Sequence, residues 1–246
     1  MSKIISYDIE LYDELSDKEG VNKSLEALRP SVAAFCTTES DTQFFYDDPY
    51  MSKETGKKLV NKMMDLMKLG YVPFTWNGAS FDFPLLGYYT GMIEECGEIA
   101  LNHYDAMLYI VFNKGYFLGL DAALIGAGLE TKRHSVTLND GSELIGFSGA
   151  QAPEYWRNKE FSAVKYYLDG DVIQPLRLFD VIMLNGGVRW TSKSGKPMFV
   201  KQSHTLVKDL FKLPVPNTSW MENPKPRKDF VSWIPEKILE RNGVRI

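Results

Sequence analysis

The segment KIISYDIELY, residues 3–12, sets Ile5, Tyr7 and Ile9 against Ile4, Ser6, Asp8 and Glu10. A repeat of two is the period of a β-strand, whose successive side chains leave opposite faces. Asp8 and Glu10 therefore leave the same face. Adjacent like charges facing a sheet–helix interior repel, and they are costly to desolvate unless something positive lies between them. A hard divalent cation, Mg2+ or Mn2+, fills that role with oxygen ligands. The same tripeptide also suits a solvent-facing strand, so the rest of the chain has to decide.

Downstream, SVAAFCTT (31–38) and TQFFYDD (42–48) are apolar runs joined by Glu39-Ser40-Asp41, which predicts a hairpin. Residues 13–30 read as an inserted loop or short helix. In residues 51–70, Leu59, Met63, Leu66 and Met67 recur at helical spacing, with Gly70 as a stop. YVPFTW (71–76) predicts a buried strand broken by Asn77-Gly78, and a helix follows from about Ser80, placed to cap it. Further helices fit 105–114, 120–128 and 160–184. Three strands, a helix, a strand and then mostly helix predict an α/β fold, a mixed sheet flanked by helices.

After Gly186-Gly187 the chain changes character. Residues 188–200 predict a hairpin turning at Lys193-Ser194-Gly195-Lys196. A short helix near 203–211 and a Pro-rich extended tail follow, with Trp220, Phe230 and Trp233 as anchors. The expected division is residues 1–184 as the main domain and 185–246 as a basic appendage packed on it.

The chain has 246 residues and a net charge of −4. Residues 185–246 hold 12 Lys/Arg against 5 Asp/Glu, a balance of +7, which leaves −11 for residues 1–184. A negative body with a positive tail points to metal sites in the first part and polyanion contact in the second. There is no apolar run of roughly 18 residues and no signal-type N-terminus, so a cytoplasmic, membrane-free location is expected. Cys36 and Cys96 are read as free buried thiols.

Asp82 lies in WNGASFDFP, amid Trp76, Phe81, Phe83 and Pro84, where a carboxylate needs a partner. Asn77 supplies a neutral donor and acceptor at the same mouth. In 161–184, taken at 100° per residue, Phe161, Val164, Leu168, Val172, Pro175, Leu176, Phe179 and Ile182 form one apolar stripe. Asp169 and Asp171 flank it on opposite sides. Tyr167 neighbours Asp171 and Tyr166 neighbours Asp169, so phase alone does not choose between the pairs. Pro175, which displaces the carbonyl of Asp171, leans the reading toward Asp171.

DIE (8–10), NGASFD (77–82) and YLDGD (167–171) resemble, in order, the three motifs of the DEDD 3′-5′ exonucleases of the RNase H-like superfamily. The third resembles the tyrosine subclass (DEDDy), whose Tyr-x-x-x-Asp selects Tyr167 with Asp171. Over roughly residues 1–184 the chain is similar to the proofreading exonuclease domain of family B DNA polymerases, and HYDAM (103–107) and GLDAALIGAGLETK (119–132) fit that group loosely. It departs in having Leu11 where Thr is frequent and in the length of 13–30.

The resemblance implies an RNase H-like mixed five-stranded sheet and a metal-dependent 3′-5′ exonuclease. Two divalent ions (Mg2+ or Mn2+) would be held by Asp8, Glu10, Asp82 and Asp171, with Asp8 bridging them. Tyr167 would orient the attacking water. The substrate would be 3′ ends of single-stranded or frayed DNA, released as 5′-nucleoside monophosphates; an exoribonuclease and a non-catalytic nucleic-acid-binding module are the alternatives. Leu11 and Phe81 are candidates to pack on the terminal base or sugar, and Asn77 to contact the substrate end. Arg189, Trp190, Lys193 and Lys196 combine cations with an aromatic, as single-strand-binding surfaces do. His103, His134 and His204 share no ligand spacing and are read as structural or surface residues.

Overall fold

The computed structural model describes residues 2–16 and 23–246. Three strands come first: β1 (Ile4–Leu11), β2 (Pro30–Thr37) and β3 (Ser40–Tyr46), each antiparallel to the next. After α1 (Lys53–Lys68), β4 (Val72–Thr75) pairs parallel to β1, on the side away from β2. Helices α2 (Asp82–Thr90) and α3 (Ile93–Leu101) then lead to β5 (Tyr104–Asp105), parallel to β4. The sheet order is β3-β2-β1-β4-β5, so the strand carrying Asp8 and Glu10 is central.

The chain continues through α4 (Ala106–Lys114), α5 (Leu120–Gly126), a small hairpin of β6 (Ser135–Thr137) and β7 (Glu143–Ile145), and α6 (Ala152–Arg157). The 25-residue α7 (Phe161–Asn185) follows and ends at left-handed Gly186. A second hairpin, β8 (Gly187–Thr191) and β9 (Pro197–Lys201), precedes α8 (Val207–Leu210) and α9 (Glu236–Arg241).

The sheet separates two apolar clusters, as the alternation along β1 requires. One face carries Ile5, Tyr7, Ile9, Ala33 and Phe35 against α1 to α4. The other carries Val32, Ala34 and Cys36, covered by Val164, Leu168 and Val172 of α7. Asp8 is registered with Ala34 and Glu10 with Val32, so both carboxylates lie on the α7 side. The register slips between Glu10 and Leu11, a bulge that bends the strand beside them. Val188, Trp190, Val207, Phe230, Ile238 and Val244 of the C-terminal part join the first cluster.

Several sequence expectations shift. The β2–β3 ladder resumes at Ser40, not Thr42, because an exposed edge strand tolerates polar residues. Ser80 does not cap α2: that helix starts at Asp82 without a side-chain cap, and the Ser80 hydroxyl donates to Asn77 Oδ1 at 2.5 Å. The helix expected over 203–211 contracts to four residues. The sequence reading did not anticipate α3, α6, α9 or the β6–β7 hairpin, which are short or tertiary in origin. Of the inserted segment 13–30, a 3-10 turn occupies Leu25–Ala27, while residues 17–22 lie outside the described residues.

Of the three tail anchors, Phe230 is fully buried and Trp233 Nε1 donates to the Ala79 carbonyl at 2.9 Å. Trp220 instead stays exposed against the edge of Tyr116. Both cysteines are free and buried. Among the described residues no helix is long and apolar enough to cross a membrane.

Candidate functional site

A cavity of about 710 Å3 opens between the end of β1, the loop before α2 and the middle of α7. Asp8, Glu10, Asp82, Tyr167 and Asp171 all line it, as do Leu11, Asn77 and Phe81. Carboxylate oxygens of Asp8, Glu10 and Asp171 lie within 4.8 Å of one another. Asp82 is on the same wall system but outside that closest group.

Each side chain is placed by its own element. β1 delivers Asp8 and Glu10 by strand alternation. On α7, the i,i+4 pair Tyr167 and Asp171 is buried together with the apolar stripe, whereas Tyr166 and Asp169 turn outward. Asp169 pairs there with Arg133 at 2.6 Å. Asp82 depends on the loop before α2, which buried Asp105 organises: its carboxylate accepts from the backbone N–H groups of Asn77 and Ala79, each at 3.1 Å. Asn77 takes a positive φ of 81°, a conformation that asparagine tolerates better than most residues. Trp76, donating to the Leu118 carbonyl at 3.0 Å, fixes the start of the same loop.

The electrostatics are unusual for a folded interior. Burial, then the negative charge of Asp171, raises Asp8 to about 8, against a partly compensating Lys132. Burial followed by repulsion from Asp8 pushes both Glu10 and Asp82 well above the ordinary carboxylate range. Asp171 is also raised by burial, although Lys132 works in the opposite direction. Burial, and then Asp171, raises the Tyr167 phenol, so it stays protonated at neutral pH. Loop residue Gly149 passes close to Glu10 and Tyr167 and closes this side of the cavity.

Lys132 is the functional candidate that sequence reading missed. Its Nζ is 2.6 Å from Asp171 Oδ2 and 4.9 Å from the centre of the Tyr167 ring. Burial disfavours its charge, yet Asp171, Tyr167 and Asp8 outweigh that cost and raise its pKa. In sequence Lys132 only ends the phrase GLDAALIGAGLETK, with no spacing to set it apart.

Among the described residues that line the cavity Lys132 is the one cation, and one ammonium does not satisfy four carboxylates. Both Asp171 oxygens are buried without a well-formed hydrogen bond, even though one touches Lys132. A buried carboxylate paired through one oxygen, a tight carboxylate group and a donor set made only of oxygen fit a divalent cation of the Mg2+ or Mn2+ type.

The residues proposed for strand binding on the C-terminal hairpin lie elsewhere. Arg189, Lys193 and Lys196 are exposed but do not line the cavity, and the Arg189 guanidinium covers Phe199. Trp190 is buried in the apolar cluster and presents no free face for a base, a correction to its reading as a stacking residue. The hairpin packs on α5, where a Cβ on Gly126 would stand 1.8 Å from the Arg189 carbonyl oxygen. The histidines are structural: His103 is buried against Thr75 and Ala100, His134 bonds Asp121, and His204 stacks on Tyr104 and Phe179.

No family model matches the sequence, and no curated protein matches it. Among solved structures, the fold is similar to the family B DNA polymerase of the hyperthermophilic archaeon Pyrobaculum calidifontis, with a TM-score of 0.52 and 16% identity. The alignment covers 74% of this chain and 24% of the polymerase, so the chain spans about a quarter of that protein's length. Exonuclease I in its apo form aligns at a TM-score of 0.33 and 11% identity, over 74% of this chain and 42% of that one. The E. coli Exonuclease I complex with a 5cy-dT13 oligonucleotide aligns at 0.32 and 11%, over 100% and 68%. The fold class is thus α/β, a mixed five-stranded sheet with flanking helices, similar to the part of the polymerase that it aligns with.

Proposed function

We propose that this protein is a metal-dependent 3′-5′ exonuclease of the tyrosine DEDD type, acting on single-stranded or frayed DNA. The observation that carries the reading is the gathering of Asp8, half-buried, and of the buried Glu10, Asp82 and Asp171 around one cavity, with Lys132 the one cation lining it among the described residues. Such an arrangement is costly to desolvate and gains stability when cations join it.

Asp8, Glu10 and Asp171 would hold one divalent ion, and Asp82 would share a second with Asp8. Bound there, the ions would supply a water-derived nucleophile at neutral pH and neutralise charge on the leaving 3′ oxygen. Tyr167 keeps its proton and acts by hydrogen bonding, positioning the attacking water rather than deprotonating it. Leu11 and Phe81 give the cavity apolar walls against which a terminal sugar and base can pack, and Asn77 offers an amide at its rim. Residues 185–246 are proposed to be an appendage of the same domain rather than a separate unit.

The test is incubation with 5′-labelled oligonucleotides, DNA and matched RNA, in Mg2+ or Mn2+. The expected product is a ladder shortened from the 3′ end, faster on DNA. A wild-type protein that leaves both substrates intact, or an Asp8→Ala variant as active as wild type, rules the reading out. Preferential cleavage of RNA would reassign the substrate and leave the chemistry unchanged.

A further inference from the structure

A second groove, of about 430 Å3, runs along α7 beside the first cavity, and Lys132 lines both. Its helical wall is Tyr166, Gly170, Gln174 and Arg177, the stripe next to the one that carries Tyr167 and Asp171. The facing wall is the segment 130–135.

Three features of this groove are unfinished as protein structure. Gln174 is 6% exposed, and its side-chain oxygen has no hydrogen-bond partner. A buried acceptor left unpaired is costly, so a donor that reached it would relieve that cost. Arg177, on the next turn of the helix, is exposed and makes no ion pair among the described residues. Tyr166 is half-exposed, with the Arg133 guanidinium over its ring at 4.3 Å from the centre. That guanidinium is itself pinned, donating to Asp169 Oδ2 at 2.6 Å and to the Tyr166 carbonyl at 2.7 Å. The ring is therefore a supported platform, not a loose side chain.

A nucleotide brings what these three lack: a flat π face, an anionic phosphate, and amino or hydroxyl donors. We propose that the groove is a strand-binding subsite for single-stranded nucleic acid whose 3′ end lies in the carboxylate cavity. A base would stack on Tyr166 and a phosphate would meet Arg177, and the Gln174 amide, whose oxygen is closed to solvent in the free protein, would turn to accept from a base amine or sugar hydroxyl. This rests on the exonuclease reading and extends it, replacing the β8–β9 hairpin as the path of the strand. The hairpin cations line neither cavity, whereas the groove adjoins the reacting end.

The experiment compares wild type with Arg177→Glu and Tyr166→Ala, both at exposed positions where folding is little affected. Binding of a 5′-fluorescein oligothymidylate of about twelve nucleotides is followed by anisotropy in Ca2+, with the matched oligouridylate alongside. Cleavage of the same oligomer and of trithymidylate is followed in Mg2+. Tyr166→Ala removes a stacking face and Arg177→Glu a phosphate contact, so each variant should bind the long oligomer roughly tenfold more weakly. KM for the long oligomer should rise in step, with kcat and trithymidylate cleavage unchanged. Variants that bind and cleave the long oligomer as wild type does would overturn the subsite while leaving the exonuclease intact. A wild type that cleaves nothing in Mg2+ or Mn2+ would instead defeat the underlying reading, and the subsite with it. A drop in kcat on both substrates would also overturn the proposal, since it would place these residues in the chemistry rather than along the strand.

Discussion

Helix α7 carries two tyrosine–aspartate pairs that differ in sequence by one or two positions and in environment almost completely. Tyr167 and Asp171 are buried against β1, beside a lysine whose charge they hold in place. Tyr166 is half-exposed, and its neighbour Asp169 is paired with Arg133 at the surface. A helix turns about 100° per residue, enough to move a side chain from a cavity wall to an outer groove. Chemistry-bearing residues on one helix are told apart by what they are buried against. Charge near the surface is cheap and common; four carboxylates sharing an interior are not.

The largest effect expected comes from the aspartates. Asp171→Asn should lower the single-turnover rate of oligonucleotide cleavage by about 10^3-fold or more, as loss of a ligand at a two-metal centre does. Asp169→Asn should leave that rate within about twofold, because its carboxylate faces Arg133. Equal losses in both variants would erase the distinction between the two faces.

The cations sharpen the same contrast through stability. Removing one partner of a buried pair costs about 3–5 kcal/mol, so Lys132→Met should lower the urea midpoint of the metal-free protein by an equivalent amount. Arg133→Met, which breaks a more open pair, should cost about 1 kcal/mol or less. Denaturation curves in EDTA compare them directly, and adding Mn2+ should recover much of the Lys132→Met loss.

The tyrosines come next. Tyr167→Phe removes the hydroxyl proposed to position the attacking water and should reduce kcat by about 10^2-fold with KM little changed. Tyr166→Phe keeps the ring and should be silent in the same steady-state assay.

The smallest effect is on pH. Asp8 titrates near 3.8 as an ordinary carboxylate and at about 8 in this fold. Between those values the folded protein keeps a proton that the unfolded chain releases, so this contribution to stability is present at low pH and lost as pH rises through about 8. Glu10, Asp82 and Asp171, also raised, act in the same direction. The metal-free melting temperature should therefore be lower by a few degrees at a pH of about 8.5 than at about 5.5. The rise on adding Mg2+ should be greater at the higher pH. A metal-free protein that melts higher at the alkaline end would contradict the charge crowding inferred for the cavity.

Much of the fold was legible because periodicity reports burial. The alternation in residues 3–12 gave β1 and the shared face of Asp8 and Glu10, and the helical stripe of 161–184 gave α7 nearly to the residue. The hairpin at 188–200 followed from its turn residues. The failures have a common cause. Three-residue strands such as β6 and β7 are too short to show a period, and α9 forms where Ile238 and Leu239 find an apolar surface supplied by distant segments. Trp190 read as a stacking residue because an aromatic among cations looks alike whether its face is bare or covered.

The sequence by itself determined the strand and helix periods, and with them the placing of Asp8 and Glu10 on one face and of Tyr167 one turn from Asp171. Those relations are local, fixed by backbone geometry within a few residues. The choice of Asp171 over Asp169, toward which Pro175 and the motif resemblance leaned, is made by burial in the fold; tertiary structure alone decided that Lys132 sits among the carboxylates, that Asp105 holds the loop leading to Asp82, and that Trp190 is covered. Each of these depends on contacts between segments far apart along the chain, where burial and charge are set by partners that no local pattern names.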